Sequence, residues 1–159
     1  MAATSFSIYV LYSQLCVFWS SLPQPFNNWL QAHVDQGFAW RPGSVSFRTL
    51  DEEGTHNVEL VVSGQAIEIS KDAIRVIEVP FDVPIDGEIE VASISESVPI
   101  SLAAGGYLLR CEFFAKLADG VFPVRLIFTS SNSRDFKVIR ADEVLTVPSP
   151  LVMDASPAS

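Results

Sequence analysis

The sequence predicts a mainly β protein, an antiparallel β-sandwich of about nine strands with one short α-helix. Two observations support this fold class. Apolar residues alternate with other residues in short blocks, and clusters of Gly, Pro, Asn, Asp and Ser separate one block from the next. In addition, a chain of 159 residues has the usual size of one domain and can bury ~70% of the surface that its unfolded form exposes. We therefore expect one sandwich domain over residues 1–148 and a flexible C-terminal tail over residues 149–159, where Pro, Ser and Ala predominate.

The first element is the apolar run from Phe6 to Trp19. It is the best candidate for a targeting segment, but no basic region precedes it, and Ser7, Ser13 and Gln14 interrupt it. We interpret it as a buried strand. No uninterrupted apolar run in the sequence approaches the ~20 residues that a membrane-spanning helix requires, so we expect no insertion into a membrane.

Residues 27–36 depart from the β pattern, because Leu30 and Val34 have helical spacing. Asn27 or Asn28 is suited to cap the N-terminus of a helix, and the glycine at position 37 is suited to end it. A helix of about ten residues is not stable in water by itself. We therefore expect this one to pack onto the sandwich.

Three pairs of neighbouring blocks are predicted to form β-hairpins, because turn residues separate the two blocks of each pair. These pairs are residues 45–48 with 55–62, residues 98–102 with 107–113, and residues 124–129 with 136–140.

Acidic residues gather in and between the strand-like blocks from Arg75 to Phe114. Glu88 and Glu90 are two residues apart, so they share one face of a strand. Ile89 and Val91, which alternate with them, face the core. The resulting negative face is the main candidate for a binding surface. The candidate residues are Asp82, Asp86, Glu88 and Glu90, with Asp51, Glu52 and Glu53 as a second group on a predicted loop. Each group is also open to interpretation as an ordinary solvated turn or strand face.

Trp40 precedes Arg41, Pro42 and Gly43 at the predicted mouth of a loop. An aromatic residue beside a guanidinium can anchor a protein interface. Packing of the indole against the helix explains Trp40 as well, and the sequence leaves both interpretations open.

The chain has 19 acidic and 10 basic residues and a formal net charge of −9. This balance argues against non-specific attraction to DNA, RNA or an anionic membrane and favours a basic partner. The alternative is that the acidity serves solubility alone.

The residues do not indicate an enzyme, a metal site or a cofactor site. His33 and His56, the only histidines, belong to no spaced metal motif. His56 lies near Asp51, but no nucleophile elbow accompanies them, and we expect His56 at the surface. Cys16 and Cys111 are expected to be free thiols in the core, which suits a reducing, cytoplasmic location.

The order of several short segments resembles the competence protein J (ComJ) family over about Phe6 to Phe114. These segments are Ser7–Tyr9, the Trp-bearing helix closing on Gly37–Ala39, Gly43–Phe47, Val79–Phe81 and Gly106–Leu109. The resemblance implies a small intracellular protein that binds and inhibits a DNA-degrading nuclease linked to DNA uptake. It implies no catalytic residue and assigns no interface residue.

The sequence thus leads to two hypotheses about function. In the first, the protein inhibits a nuclease, and its acidic surface occupies the cationic cleft that otherwise holds DNA. In the second, the sandwich is a binding module for a small molecule or a carbohydrate, with Trp40, Trp19 or Tyr9 as a stacking platform.

Overall fold

The structure is a computed structural model and describes residues 2–159 of the chain. The helix in this range is α1, Gln31–Gln36. The strands are β1 (Ala2–Val10), β2 (Gln14–Trp19), β3 (Asn27–Asn28), β4 (Phe38–Arg41), β5 (Ser44–Arg48), β6 (Gly54–Ser63), β7 (Arg75–Val83), β8 (Glu88–Ala92), β9 (Ser97–Ser101), β10 (Gly105–Phe113), β11 (Phe122–Ser130), β12 (Lys137–Arg140) and β13 (Ser156–Pro157).

Two sheets face each other across one core. Sheet A has the strand order β1-β6-β11-β10-β7-β12, and sheet B has the order β4-β5-β2-β8-β9. Alternate residues of both sheets, such as Phe81 and Leu126 of sheet A and Val17 and Phe47 of sheet B, belong to a single buried cluster. Each such side chain contributes about 1.5–3 kcal/mol on full burial. The predicted fold class, mainly β with one short helix, is confirmed.

The antiparallel arrangement has one exception among the described residues. Strands β6 and β11 run parallel, with Leu60 opposite Leu126, while the other ladders are antiparallel. A parallel pair needs a long connection between its strands. Here the chain builds β7 to β10 between the two, so β11 enters sheet A between β6 and β10.

The three predicted hairpins are wrong. Strand β5 lies in sheet B and β6 in sheet A, β9 lies in sheet B and β10 in sheet A, and β11 and β12 are separated within sheet A by β10 and β7. Hairpins form instead between β4 and β5, between β8 and β9, and between β10 and β11. The alternation of apolar residues shows which face of a strand is buried, but it does not show which strand lies beside it.

The helix predicted over residues 27–36 is shorter in the structure. It ends as predicted at Gly37, whose φ of 91° is in the left-handed region that favours glycine. Its beginning differs, because Leu30 occupies the N-cap position and its backbone N–H donates to Nδ1 of His33 at 2.9 Å. The other ring nitrogen of His33, Nε2, therefore carries the proton and donates to the carbonyl of Asp154 at 2.8 Å.

Asn27 and Asn28 are not helix caps because both have other partners. The side-chain amide of Asn27 is buried and donates to the carbonyl of Ala39 at 3.0 Å. Asn28 pairs with Ser156 in the small ribbon that β3 forms with β13. These contacts hold the segment before the helix in an extended conformation.

The segment predicted as a flexible tail lies against the helix and β3. The backbone N–H of Val152 donates to Gln36 at 2.9 Å, and the backbone N–H of Ala158 donates to the carbonyl of Phe26 at 2.9 Å. These bonds, together with the one from His33, join three points of residues 149–159 to the sandwich.

Both cysteines are free and buried, as predicted. Burial raises the pKa of the Cys16 thiol to about 12, an effect that a hydrogen bond to Ser46 only partly offsets. Burial also raises the pKa of Cys111 well above its usual value. Among residues 2–159, no helix is long and apolar enough to cross a membrane.

Candidate protein-binding surface

Strand β8 presents its two glutamates on the outer side of sheet B. Ile89 and Val91 are fully buried in the core, whereas Glu88 is exposed and Glu90 is half-buried. The predicted alternation along this strand is therefore confirmed. Pairing of β8 with β2 and β9 places Phe18 on one side of Glu90 and Pro99 on the other.

The turn from β7 to β8 carries the chain from sheet A to sheet B. Gly87 closes it with a φ of 72°, and a Cβ at this position would lie 2.4 Å from the carbonyl oxygen of Leu102, so only glycine fits. Asp86 stays at the surface, where its carboxylate accepts a hydrogen bond from the backbone N–H of Glu88 at 3.0 Å. Ile85, at the tip, is 98% exposed. The turn therefore offers a free apolar side chain beside two carboxylates.

Asp82 does not join this group. Along β7 the residues Val79, Phe81 and Val83 face the core, so Asp82 points to the outer side of sheet A, away from the outer side of sheet B. Its carboxylate also accepts a hydrogen bond from Arg134 at 3.0 Å. The four carboxylates that the sequence places together are therefore divided between the two faces of the sandwich.

Among the described residues, no cation is paired with the negative charge near β8. Residues 76–109 contain six acidic residues and no Lys or Arg, and β2, the strand beside β8, carries no charged residue at all. Within residues 2–159, no Lys, Arg or His nitrogen lies within 4.0 Å of Asp86, Glu88, Glu90 or Glu96. Carboxylates left in this state create a negative potential that attracts a basic partner.

A groove of about 350 Å³, lined by both apolar and polar residues, lies directly beside Glu90 on the outer side of sheet B. We call it the acidic groove. Its residues include the apolar Phe18, Leu22, Phe26 and Ala92 and the carboxylates of Glu90 and Glu96. The rings of Phe18 and Phe26 meet edge to face, with their centroids 5.7 Å apart. One oxygen of Glu96 accepts a hydrogen bond from the backbone N–H of Tyr9, which fixes this carboxylate at the groove.

The comparisons with known proteins identify the family. The model of the competence protein J (ComJ) family matches residues 7–130. This chain belongs to the ComJ family. The match continues past Phe114, where the sequence resemblance ends, to the last residue of β11. Among curated proteins, none matches the sequence.

Two solved structures share the fold of this ComJ family member. One is ComJ from Bacillus subtilis, described as an inhibitor of the DNA-degrading activity of NucA, with a TM-score of 0.67 and 20% identity over 80% of this chain and 96% of that one. The other is described as crocagin biosynthetic gene J, with a TM-score of 0.54 and 15% identity over 83% of this chain and all of that one.

The second predicted group, Asp51, Glu52 and Glu53, is exposed on the loop between β5 and β6 of this ComJ family member. The carboxylate of Asp51 lies 4.0 Å from the ammonium of Lys116. The carbonyl of Glu52 accepts a hydrogen bond from the backbone N–H of Ser13 at 2.8 Å. No hydrogen bond or ion pair of the described residues links this group to β8, so it is a separate acidic site.

Trp40, the remaining predicted residue, packs between the sheets. Its Nε1–H donates to the carbonyl of Pro80 at 2.7 Å, and its ring meets Phe136 edge to face at 4.9 Å. Trp19 is held similarly, because its Nε1–H donates to the carbonyl of Asp82 at 2.6 Å. Both indoles pack against the core cluster, and the contacts of Trp40 are with Pro80 and Phe136 rather than with the helix that the sequence suggested.

On the outer side of sheet A, arginine side chains neutralise a buried glutamate. Glu112 is fully buried between Arg110 at 2.8 Å and Arg125 at 3.0 Å. Both arginines also donate to the carbonyl of Glu68, in the loop that covers this face. Ion pairs therefore neutralise Glu112 on sheet A, whereas Glu88 and Glu90 on sheet B have no such partner among the described residues.

Asp142 is also neutralised, by a bidentate pair with the fully buried Arg75 at 2.8 and 3.0 Å. Burial alone would raise the pKa of Asp142, but the hydrogen bonds and the charge of Arg75 hold it below its usual value. This pair ties the start of β7 to the segment after β12.

The expected surface position of His56 is wrong. Its ring is fully buried and stacks on Phe122 at 4.9 Å, and Nδ1 donates to the carbonyl of Gly54 at 3.0 Å. Burial lowers the pKa of His56. Among the described residues, Nε2 has no hydrogen-bond partner, and no group of three or more His, Cys, Asp or Glu is placed to hold a metal ion.

Sequence reasoning missed Ile85 and Glu96. Ile85 is an apolar residue inside an acidic turn, and the signal that could have found it is the Pro-Ile-Asp-Gly sequence, which places it at a turn tip. Glu96 lies in a Ser-rich loop, and only the tertiary structure brings it to Glu90.

Proposed function

We propose that this protein binds and inhibits a DNA-degrading nuclease, and that the acidic groove with the adjoining turn occupies the cationic cleft of that nuclease. Membership of the ComJ family supports the inhibitor role, since the Bacillus subtilis ComJ is described as an inhibitor of NucA. The observation that carries the proposed surface is the set of unpaired carboxylates on one face, Asp86, Glu88, Glu90 and Glu96.

The chemistry of a nuclease cleft fits this surface. A protein that holds DNA lines its cleft with Lys and Arg, which neutralise phosphates. The apolar stem of such a side chain would lie over Phe18 and Phe26, and its charged head would reach Glu90 and Glu96. Fixed carboxylates would thus replace phosphates without being a substrate for cleavage.

Ile85 would add an apolar contact at the edge of this interface. Binding free energy at protein interfaces is concentrated in a few residues that leave water completely. A side chain that is 98% exposed in the free protein has the most surface to bury on association. We therefore assign it to the interface together with the carboxylates of its turn.

The association should be fast and sensitive to salt. A negative face steers a basic partner during encounter, and dissolved salt screens this attraction over ~8–10 Å. We place the complex in the cytoplasm, where two buried free thiols such as Cys16 and Cys111 are the usual state.

The second hypothesis, a module with Trp40 or Trp19 as a stacking platform, gains no support. Both rings pack inward, and both N–H groups are already bonded to backbone carbonyls. Of the three aromatic residues that the sequence suggests for stacking, Tyr9 is the exposed one, at 42%.

The test begins with capture of partners from a lysate of the source cells on the immobilised protein. A captured nuclease is purified and its degradation of DNA is measured while the protein is titrated in. Inhibition that is complete near one equivalent supports the proposal. Capture of no nuclease, or DNA cleavage that persists at saturating protein, refutes it.

A further inference from the structure

A second groove, of about 330 Å³, lies where β2 begins, β5 ends and α1 passes over them. We call it the aromatic groove. It is lined by Tyr12, Ser13, Gln14, Trp29, Val34 and Arg48. Its volume is in the range of small-molecule sites, ~300–1,000 Å³, and its lining combines apolar and aromatic surface with a few polar groups. None of these residues belongs to the acidic groove.

The turn that shapes this groove is strained. Tyr12 and Ser13 have φ values of 57° and 59°, in the left-handed region where glycine and asparagine are usual. Two backbone hydrogen bonds hold the turn to the loop after β5. The N–H of Ser13 donates to the carbonyl of Glu52 at 2.8 Å, and the N–H of Thr49 donates to the carbonyl of Ser13 at 3.0 Å. The ring of Tyr12 is 68% exposed, so packing within this chain does not compensate for the strain. Backbone strain of this kind is concentrated at functional sites.

Arg48 brings an unpaired guanidinium to the groove. Its Nη1 donates to the carbonyl of Val34 at 3.0 Å, and no other hydrogen bond of this guanidinium forms within residues 2–159. No carboxylate of the same residues lies within 4.0 Å of it. In a chain with a net charge of −9, an arginine in this state is available for an anion. A guanidinium binds a planar carboxylate through two parallel hydrogen bonds.

Gln14 adds a second donor with a fixed orientation. The indole N–H of Trp29 donates to Oε1 of Gln14 at 3.2 Å, so the amide oxygen is occupied and the NH₂ group is left to donate. The free polar groups of the groove are thus the donors of Arg48 and Gln14 and the hydroxyls of Tyr12 and Ser13. A set dominated by donors favours a ligand with acceptor oxygens and a negative charge.

We propose that the aromatic groove binds a small aromatic carboxylate. The ring of the ligand lies against Tyr12 and Trp29, and its carboxylate accepts hydrogen bonds from Arg48 and Gln14. Aromatic rings attract each other in offset or edge-to-face arrangements beyond simple burial. This site is independent of nuclease inhibition, because it uses other residues at the opposite end of β2.

The first test compares three probes by NMR, with the indole N–H signal of Trp29 as the reporter. Benzoate carries both the ring and the charge, benzamide keeps the ring without the charge, and cyclohexanecarboxylate keeps the charge without the aromatic ring. We expect benzoate to shift the Trp29 signal and to bind at least about tenfold more tightly than either control. Equal binding of benzoate and benzamide, or no shift of Trp29 at the highest soluble benzoate concentration, overturns the proposal.

Variants provide the second test. Tyr12→Gly removes the ring and relieves the left-handed strain, so it should raise the melting temperature while benzoate affinity falls. Arg48→Gln should abolish the preference for benzoate over benzamide, whereas Arg134→Gln, a control in the loop between β11 and β12, should not. If Arg48→Gln does not fold, the Tyr12→Gly variant and the comparison of the three probes still test whether the aromatic groove binds an aromatic carboxylate. Unchanged benzoate affinity in Tyr12→Gly refutes the proposal.

Discussion

Replacement of Glu90 by glutamine tests the proposed nuclease interface most directly. The change removes one negative charge and keeps the shape of the side chain. Within the described residues the Glu90 carboxylate makes no hydrogen bond and no ion pair, so the fold does not depend on it. We therefore expect the free energy of unfolding to change by less than about 0.5 kcal/mol.

The expected loss of affinity follows from the position of Glu90. It is half-buried beside the rings of Phe18 and Phe26, so a cation that binds it is partly removed from water. A charge-assisted hydrogen bond in such a place contributes about 1.5–3 kcal/mol, which corresponds to an increase in Kd of about 10- to 150-fold. The exposed Glu88 should contribute less than about 1 kcal/mol in the same test.

The assay is isothermal titration of the captured nuclease at low and at high salt, combined with measurement of DNA degradation. Glu59→Gln is the matched control, because Glu59 is an exposed carboxylate on sheet A. The affinity of Glu90→Gln should fall most at low salt, and that of Glu59→Gln should stay at the wild-type value. If Glu90→Gln binds as tightly as the wild type while inhibition is intact, the interface lies elsewhere and the inhibitor role stands.

Three further predictions concern single residues. Ile85→Ala should leave the melting temperature unchanged, because the side chain is 98% exposed, and should weaken nuclease binding in the same titration; equal affinity would exclude Ile85 from the interface. Because burial lowers the pKa of His56, the unfolded chain binds a proton below about pH 6.5 that the folded chain does not, so stability falls as the pH drops through this value. Urea denaturation at about pH 7.5 and about pH 5.5 should show that His56→Phe loses less free energy of unfolding between the two pH values than the wild type does. An identical loss in both proteins would contradict the assignment of this pH dependence to His56. Arg75→Met should lower the free energy of unfolding by about 3–5 kcal/mol, because it leaves the Asp142 carboxylate and two backbone carbonyls without their partner. In a thermal melt, the double variant with Asp142→Leu should recover part of this loss of stability. If the effects of the two substitutions simply add, the two residues are not coupled.

The sequence was sufficient for the fold class and for the faces of single strands. Alternation placed Ile89 and Val91 in the core and Glu88 and Glu90 outside, and it did so because one side of each strand must be buried. Gly37 marked the end of the helix through its backbone preference. These are local properties, and local sequence determines them.

The assembly of the strands could not be predicted in this way. Asp82 and Glu88 both point away from the core, but the turn between them takes the chain from sheet A to sheet B. The two side chains therefore lie on opposite faces of the sandwich. The N-cap prediction failed for a related reason, since the Asn27 amide bonds to Ala39 in a strand that follows the helix. Which acidic residues stand together depends on contacts between distant parts of the chain, and a period-two pattern contains no information about those contacts.

The parallel pairing of β6 with β11 has a consequence for how the protein is made. Without β11, sheet A consists of two separate ribbons, β1 with β6 and β10 with β7 and β12. A nascent polypeptide that has reached Phe114 contains β1, β6, β7 and β10 but not β11 or β12, so β6 and β10 each expose a bare strand edge of the kind that promotes aggregation. Closing this gap requires contacts between residues far apart in sequence, which slows folding. Maturation of the sandwich must wait until Ser130 has left the ribosome, and a chaperone that shields these edges during synthesis should increase the yield.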